Sequence, residues 1–311
     1  MPRPETEARE VMAHAKVNLV LRVLAREESG YHQIETVFQG LKLADRLRIA
    51  PRTAAGVEFR LSGPEARGLG PSDDNLVVRA ARAWLEAAGQ VNRSMPGVTI
   101  ELDKRIPHGA GLGGGSSDAA AVLRAMDMLA AEPLGPDTLF RLGGELGADV
   151  PFFLTGASRA LAWGRGDRLF PLDPLPVRPV LLALPDRMIP TPWAYAKLAE
   201  MRAREGRGYP GALGFDPAAL RGWQGMARMA ENAFEPALEE DVPELSLLVA
   251  ALREEGARLA MLSGSGSAVF GVFDHGTAAE AARERLAGVV PGVRTFLTRT
   301  LGEGDEEQAD G

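Results

Sequence analysis

Pro107-His108-Gly109-Ala110-Gly111-Leu112-Gly113-Gly114-Gly115-Ser116-Ser117-Asp118 runs straight into Ala119-Ala120-Ala121-Val122-Leu123-Arg124-Ala125-Met126. Five of the seven residues 109–115 are glycine, more than any purely structural turn requires. Glycine adopts positive φ at little cost and lets the backbone approach another group closely. A helix following such a loop turns its free N–H groups, and the positive end of its dipole, back toward it. Together these features make a phosphate cradle. A Walker loop is excluded because no lysine precedes Ser116. A dinucleotide fingerprint can be threaded through Gly111-x-Gly113-x-x-Ser116 only by losing its last glycine, and it would lie far from the N-terminus. A flexible linker is the bland alternative, but linkers seldom end on two potential capping serines and an alanine-rich helix.

Around this loop the composition is that of an ordinary globular protein, 45% hydrophobic and 25% charged over 311 residues, enough for two domains or one large one. The net charge of −7 argues against a nucleic-acid surface, so positive charge for phosphates has to be concentrated locally or supplied by a metal ion. There is no cysteine, which removes disulfides and thiolate metal sites and fits a cytoplasmic setting. Met1–Glu10 is charged and lacks the apolar stretch of a signal peptide, and no apolar run is long enough to span a bilayer. Of the 35 basic residues only Lys16, Lys42, Lys104 and Lys197 are lysine. Where arginine is the default cation, a lysine marks places that favour a compact ammonium over a planar fork.

Residues 11–25 alternate as a strand that puts Lys16 and Asn18 on one face. Further strands are expected at 34–38, 41–49, 57–61, 98–102, 159–163, 180–184, 259–262, 268–273 and 293–298. Helices are expected from Asn75 to Ala88, capped by Asp73 or Asp74 and stopped by Gly89, and from Ser117 to Ala131. Trp84 falls on the inner face of the first. Shorter helices follow at 136–147, 245–255 and 277–286. Residues 185–217, rich in Pro, Gly and Arg, read as a mobile or substrate-facing connection. Residues 301–311 read as an acidic, disordered tail. Strands and helices mix without regular βαβ alternation, so the fold class is α+β.

Three motifs then stand in order: Ala15-Lys16-Val17-Asn18-Leu19, the loop Gly111-Leu112-Gly113-Gly114-Gly115-Ser116-Ser117-Asp118-Ala119-Ala120, and Ser263-Gly264-Ser265-Gly266-Ser267. This pattern resembles the GHMP kinase superfamily, whose members move the γ-phosphoryl group of ATP to small-molecule hydroxyls. With Gly30-Tyr31-His32 and Gly147-Ala148-Asp149-Val150-Pro151 added, the chain is most similar to the 4-diphosphocytidyl-2-C-methyl-D-erythritol kinase family, which works in the non-mevalonate isoprenoid pathway. The similarity runs from about residue 13 to 298. His14 departs from the family's usual proline.

The resemblance implies an α+β protein of two GHMP domains, 1–157 and 158–300, with the site in the cleft between them. It implies that Asp149 is the general base and Lys16 its electrostatic partner. On sequence alone Asp149 reads rather as a helix-end turn residue, and it is the resemblance that makes it the base. It further implies ATP on Asn75, Lys104, Pro107, Gly109, Ala110, Gly111, Leu112, Gly113, Gly114, Gly115, Ser116 and Ser117. Mg²⁺ would accompany the ATP, with Ser117 the one ligand suggested and the metal set otherwise unassigned. Asn75 reads equally as a helix start. Asp118 reads as favouring the helix N-terminus, since a carboxylate against phosphate would repel it. For the acceptor, the resemblance implies Asn18, Tyr31, His32, Thr191 and Tyr195, with Tyr31 stacking on a cytosine and Trp193 or Tyr195 covering its other face. Two other readings stay open: a GHMP kinase of the homoserine or mevalonate type, against which Gly30-Tyr31-His32 argues, and a non-catalytic nucleotide-binding module, against which the pair Lys16 and Asp149 argues.

Overall fold

In chain order the elements are β1 (Arg9–Arg26), β2 (His32–Arg52), β3 (Gly56–Ser62), α1 (Leu76–Gln90), β4 (Gly97–Asp103), α2 (Gly114–Leu129), α3 (Pro136–Leu146), α4 (Val150–Leu154), β5 (Arg159–Gly164) and β6 (Arg168–Pro171), then β7 (Pro179–Leu184), α5 (Thr191–Arg204), α6 (Trp223–Met229), α7 (Glu235–Leu238), α8 (Pro243–Glu254), β8 (Leu259–Leu262), β9 (Val269–Val272), α9 (Gly276–Val289) and β10 (Arg294–Arg299). The computed structural model describes residues 8–69, 73–91, 95–211 and 214–305. The expectation of no signal peptide falls mostly on residues 1–7, outside the described residues. No helix among the described residues is long and apolar enough to cross a membrane.

The 21-residue β2 organises the first sheet. Its first half pairs antiparallel with β5, its second half with β4, and β1 lies along nearly its whole length. The strand order is β3-β4-β2-β5-β6 with β1 on β2, and only the β3–β4 pair is parallel. Two separate strands were expected here. One forms because β1 supplies ladder partners on both sides of the irregularity near Gly40. The second sheet has the order β10-β7-β9-β8, with each pair antiparallel. β5 and β6 belong to the first sheet, so a division at 157/158 is displaced: the first sheet continues to Pro171 and the second begins at Pro179.

β1 is buried on both faces from Ala15 to Leu21. Ala15, Val17, Leu19 and Val20 pack against Val180, Leu182, Phe270 and Val272 of the second sheet, together with Ala110 and Leu112 of the glycine loop. At its start, Val11 and Ala13 join α1 and α2 in a separate core that contains Trp84. Burying one such apolar side chain is worth roughly 1.5–3 kcal/mol. The strand carrying Lys16 is therefore clamped between the helical layer, the loop and the second sheet. The Trp84 indole N–H reaches a buried carboxylate, Asp127, at 3.1 Å.

Several boundaries differ from the sequence reading. α2 begins at Gly114 rather than Ser117, because the left-handed turn is completed at Gly113 (φ +72°) and the next two glycines become its first turn. α1 is capped by Asn75 rather than Asp73 or Asp74: the Asn75 Oδ1 accepts from Val77 N at 2.9 Å, and Gly89 stays inside the helix. The segment 185–217 holds a 14-residue helix, α5, whose Pro192 sits in the first turn where its missing N–H costs nothing. Residues 301–305 are not a tail. Leu301 and Asp305 are buried, and Asp305 accepts from Arg299, Lys42 and the Gly302 N–H. Residues 306–311 lie outside the described residues.

Candidate active site

The glycine loop leaves β4 through a buried charge cluster. Asp45, on β2, accepts backbone N–H groups of Arg105 (2.5 Å) and Ile106 (2.8 Å) through one oxygen, and the Lys104 ammonium (2.5 Å) through the other. Lys104 also donates to Asp118 on α2 at 2.6 Å. Burial pushes the Asp118 carboxyl well above the usual carboxylate range. Burial would lower the Lys104 ammonium, but Asp118 and Asp45 more than offset this and hold it raised. Two carboxylates around one ammonium thus approach neutrality with Asp118 shifted toward its protonated form. The cluster ties strand, loop and helix together. Asp118 is therefore an ion-pair partner of Lys104 rather than a free helix-end charge, and Lys104 lines the glycine-loop cavity, with its ammonium 3.1 Å from where a Gly114 Cβ would stand.

Close approach explains the glycines. A Cβ at Gly111 (φ +79°) would lie 2.1 Å from the Ser263 carbonyl oxygen. The Ser263 hydroxyl donates to the Gly111 carbonyl at 2.9 Å, and Ala268 N donates to the Ala110 carbonyl at 3.1 Å. The serine turn that leads out of β8 thus buttresses the loop. Asn232, missed in the sequence, holds that turn by donating to the Leu262 and Gly264 carbonyls. A Cβ at Gly113 would press on the Lys16 stem at 2.9 Å and on Phe153 at 3.0 Å. The main chains meet as well, since Lys16 N donates to the Leu112 carbonyl at 2.9 Å.

Lys16 therefore passes beneath the loop. Its ammonium lies 3.3 Å from the Asp149 carboxylate and donates to the Asn18 Oδ1 at 2.8 Å. Asn18 Nδ2 donates to the Thr36 hydroxyl, which donates to the Val20 carbonyl. Lys16 is 4% exposed and Asp149 32% exposed, so the ammonium is fixed while the carboxylate is partly open to solvent. Asn18 was expected to touch substrate. It is buried with both ends of its amide engaged, and it supports Lys16 instead.

Two cavities meet near this pair. One, of about 670 Å³, is lined by Asn75, Lys104, Pro107, every residue from His108 to Ser116, Asp118 and Thr191. Asn75 thus lines the cavity while its side chain caps α1. The other, of about 730 Å³, is lined by Arg26, Tyr31, His32, Gly147, Ala148, Arg165, Thr191 and Tyr195, among others. Thr191 belongs to both, and its hydroxyl meets that of Ser265 at 2.9 Å. Ser117 does not face the glycine-loop cavity. It is buried on the opposite side of α2, in a separate cavity of about 60 Å³ with Phe152 and Leu301, because the early start of α2 rotates it inward. It is withdrawn from the phosphate site and as a metal ligand. Among the described residues, no three His, Cys, Asp or Glu side chains form a group able to hold a metal.

In the second cavity the His32 ring stacks on Tyr195 at 4.1 Å. Burial, with Arg26 and Arg202, lowers the imidazole below its usual range, so it is neutral at pH 7. Burial and the Asp149 charge push the Tyr195 phenol up to about 12. Tyr195 thus covers His32 and not the free face of Tyr31, and Trp193 packs with the apolar core beside Lys197. Tyr31 is 59% exposed.

Family models for the GHMP kinases N terminal domain and the GHMP kinases C terminal match residues 75–157 and 218–291. A 4-diphosphocytidyl-2-C-methyl-D-erythritol kinase of Thermus thermophilus is 42% identical over 281 residues, covering 89% of this chain and 92% of that one. One from Solibacter usitatus is 40% identical over 269 residues, 84% of this chain and 80% of that one. A crystal structure of a 4-(cytidine 5'-diphospho)-2C-methyl-D-erythritol kinase superposes with a TM-score of 0.76 at 40% identity, covering 94% of this chain and all of the other. A homoserine kinase of Cytophaga hutchinsonii, at 17% identity and a TM-score of 0.67, shares the fold. With relatives at this identity spanning most of both chains, and the glycine loop, the buried lysine and the cleft carboxylate gathered at one seam, the protein belongs to the 4-diphosphocytidyl-2-C-methyl-D-erythritol kinase family of the GHMP kinases.

Proposed function

We propose that the chain transfers the γ-phosphoryl group of ATP to a hydroxyl of 4-diphosphocytidyl-2-C-methyl-D-erythritol, a step of non-mevalonate isoprenoid precursor synthesis. The observation that carries this is the position of the Lys16–Asp149 pair. Lys16 packs under Gly113, which lines the glycine-loop cavity, and its partner Asp149 is next in the chain to Ala148, which lines the aromatic cavity. The pair stands where a phosphoryl group would cross from one to the other.

Phosphoryl transfer asks the protein for charge neutralisation and a positioned nucleophile rather than for covalent chemistry. The cradle from Gly109 to Ser116 offers backbone N–H groups and the α2 N-terminus to the phosphates. Asp149 takes the proton of the acceptor hydroxyl as its oxygen bonds to the γ-phosphorus and ADP departs. Lys16, ion-paired with that carboxylate at 3.3 Å, steadies the charge that develops. Among the described residues no cage of side chains for Mg²⁺ is present. An ion arriving with ATP would be held chiefly by phosphates and water, and no step here runs through it. On the acceptor side, Tyr31 stacks on the cytosine and neutral His32 reads its edge. The two sheets act as two domains, and α5 contributes Thr191 to both cavities. The reading needs neither nucleic acid nor membrane and suits a cytoplasmic enzyme.

The test is ATP consumption with four acceptors: the cytidyl compound, bare 2-C-methyl-D-erythritol 4-phosphate, homoserine and mevalonate. Turnover with the first alone is expected. Equal kcat/KM for the first two would sink the cytidyl assignment, and turnover with none would return the chain to a binding module.

A further inference from the structure

Arg165, in the turn between β5 and β6, has no part in the chemistry above. Its guanidinium lies over the Tyr31 ring, 4.1 Å from the centroid. Among the described residues no other ring stacks on Tyr31, which projects from the β1–β2 hairpin into solvent. Arg165 is tied down in turn. Its Nε donates to Glu27 at 3.1 Å, a terminal nitrogen donates to the other Glu27 oxygen at 2.5 Å, and that nitrogen also reaches the Ser29 hydroxyl at 3.4 Å. Glu27 also accepts from Ser29 and from the Gln33 amide. The hydrogen bonds from Arg165 and Ser29 hold its carboxyl down at about 2, so it is ionised throughout the working range. The Glu27 N–H donates to the Tyr31 carbonyl at 2.8 Å and Gly30 N donates to the Glu27 carbonyl at 3.0 Å. One carboxylate thus organises the hairpin and anchors the arginine that covers its aromatic.

An exposed aromatic that must receive a stacked ligand loses rotamer freedom on binding, and that loss subtracts from affinity. Ordering the ring beforehand removes the loss. We infer that Arg165, anchored by Glu27, is a positioning residue for the acceptor: it covers one face of Tyr31 and holds the other toward the cavity. A planar guanidinium can stack on a ring and bind a carboxylate bidentately at once, which a lysine cannot do. The inference rests on the acceptor reading above, so its test has to separate the two.

The experiment is a double-mutant cycle in which kcat and KM are measured for acceptor and ATP in wild type, Y31A, R165A and Y31A/R165A. R165A is expected to raise the acceptor KM roughly 3- to 5-fold, as loss of an exposed cation–π contact would, with ATP KM and kcat unchanged. In the Y31A background the same substitution should do nothing, because Arg165 acts through the ring. R165K should behave as R165A. An equal penalty from R165A in both backgrounds would mean that Arg165 touches the ligand itself, and R165K indistinguishable from wild type would mean that charge suffices. Either result overturns the inference while leaving the acceptor site in place. An acceptor KM untouched by Y31A would instead remove the acceptor reading, and this inference with it.

Discussion

The two cavities are built in opposite ways. The glycine-loop cavity is made mainly of backbone from one continuous stretch, braced from beneath by the buried Asp45–Lys104–Asp118 cluster and from the side by Ser263. The aromatic cavity is made of side chains drawn from the β1–β2 hairpin, the residues before Asp149, the β5–β6 turn and α5, and its key aromatic is exposed. Phosphate is the same in every nucleotide, so a main-chain cradle that cannot shift serves it. A particular base has to be told from others by rings and edges, which only side chains supply.

That contrast can be broken at its seam first. Asp149→Asn keeps the size of the side chain and removes proton acceptance, so kcat should fall about 10²–10⁴-fold with both KM values little changed. Near-normal turnover would show that positioning alone drives the reaction. Next comes a pair of glycine substitutions. Gly111 and Gly30 both have positive φ, but a Cβ at Gly111 meets a carbonyl at 2.1 Å while one at Gly30 meets nothing within 4 Å. Gly30→Ala should cost only the left-handed penalty, about 1–2 kcal/mol of stability in thermal unfolding, and disturb the acceptor KM alone. Gly111→Ala should cost more than that and raise the ATP KM. Equal losses would deny the loop its rigid bracing.

The smallest effect concerns pH. His32 has its imidazole lowered, chiefly by burial, so it takes up its proton at lower pH than a free histidine does. The acceptor KM should therefore rise as pH falls, with its midpoint below that of a free histidine and with ATP KM not following. A midpoint at or above that of a free histidine would mean that the ring is solvated like one.

The glycine loop, the strand carrying Lys16 and the late serine turn could be read from the chain because each is a local pattern: positive-φ residues before a helix, alternation along a strand, small residues between two strands. The partners of those motifs were not local. Asp45 lies 59 residues before Lys104 and had no distinguishing neighbours. Asn232 and Glu27 looked like ordinary loop residues. α5 was hidden because Pro and Arg suggested a connection, whereas Pro192 sits where the first turn tolerates it.

Ser117 and Asn18 show the limit most plainly. Both stand inside motifs and were assigned to ligands, yet three residues of extra helix turn Ser117 to the far side of α2, and two hydrogen bonds consume the Asn18 amide beneath Lys16. The sequence by itself determined the class of chemistry, because a glycine cradle and a lone lysine on a buried strand are set by residue type and short spacing. Only the tertiary structure decided which side chains face the cleft. That depends on helix phase and on which neighbour satisfies each polar atom first, and neither is written in the spacing of the residues themselves.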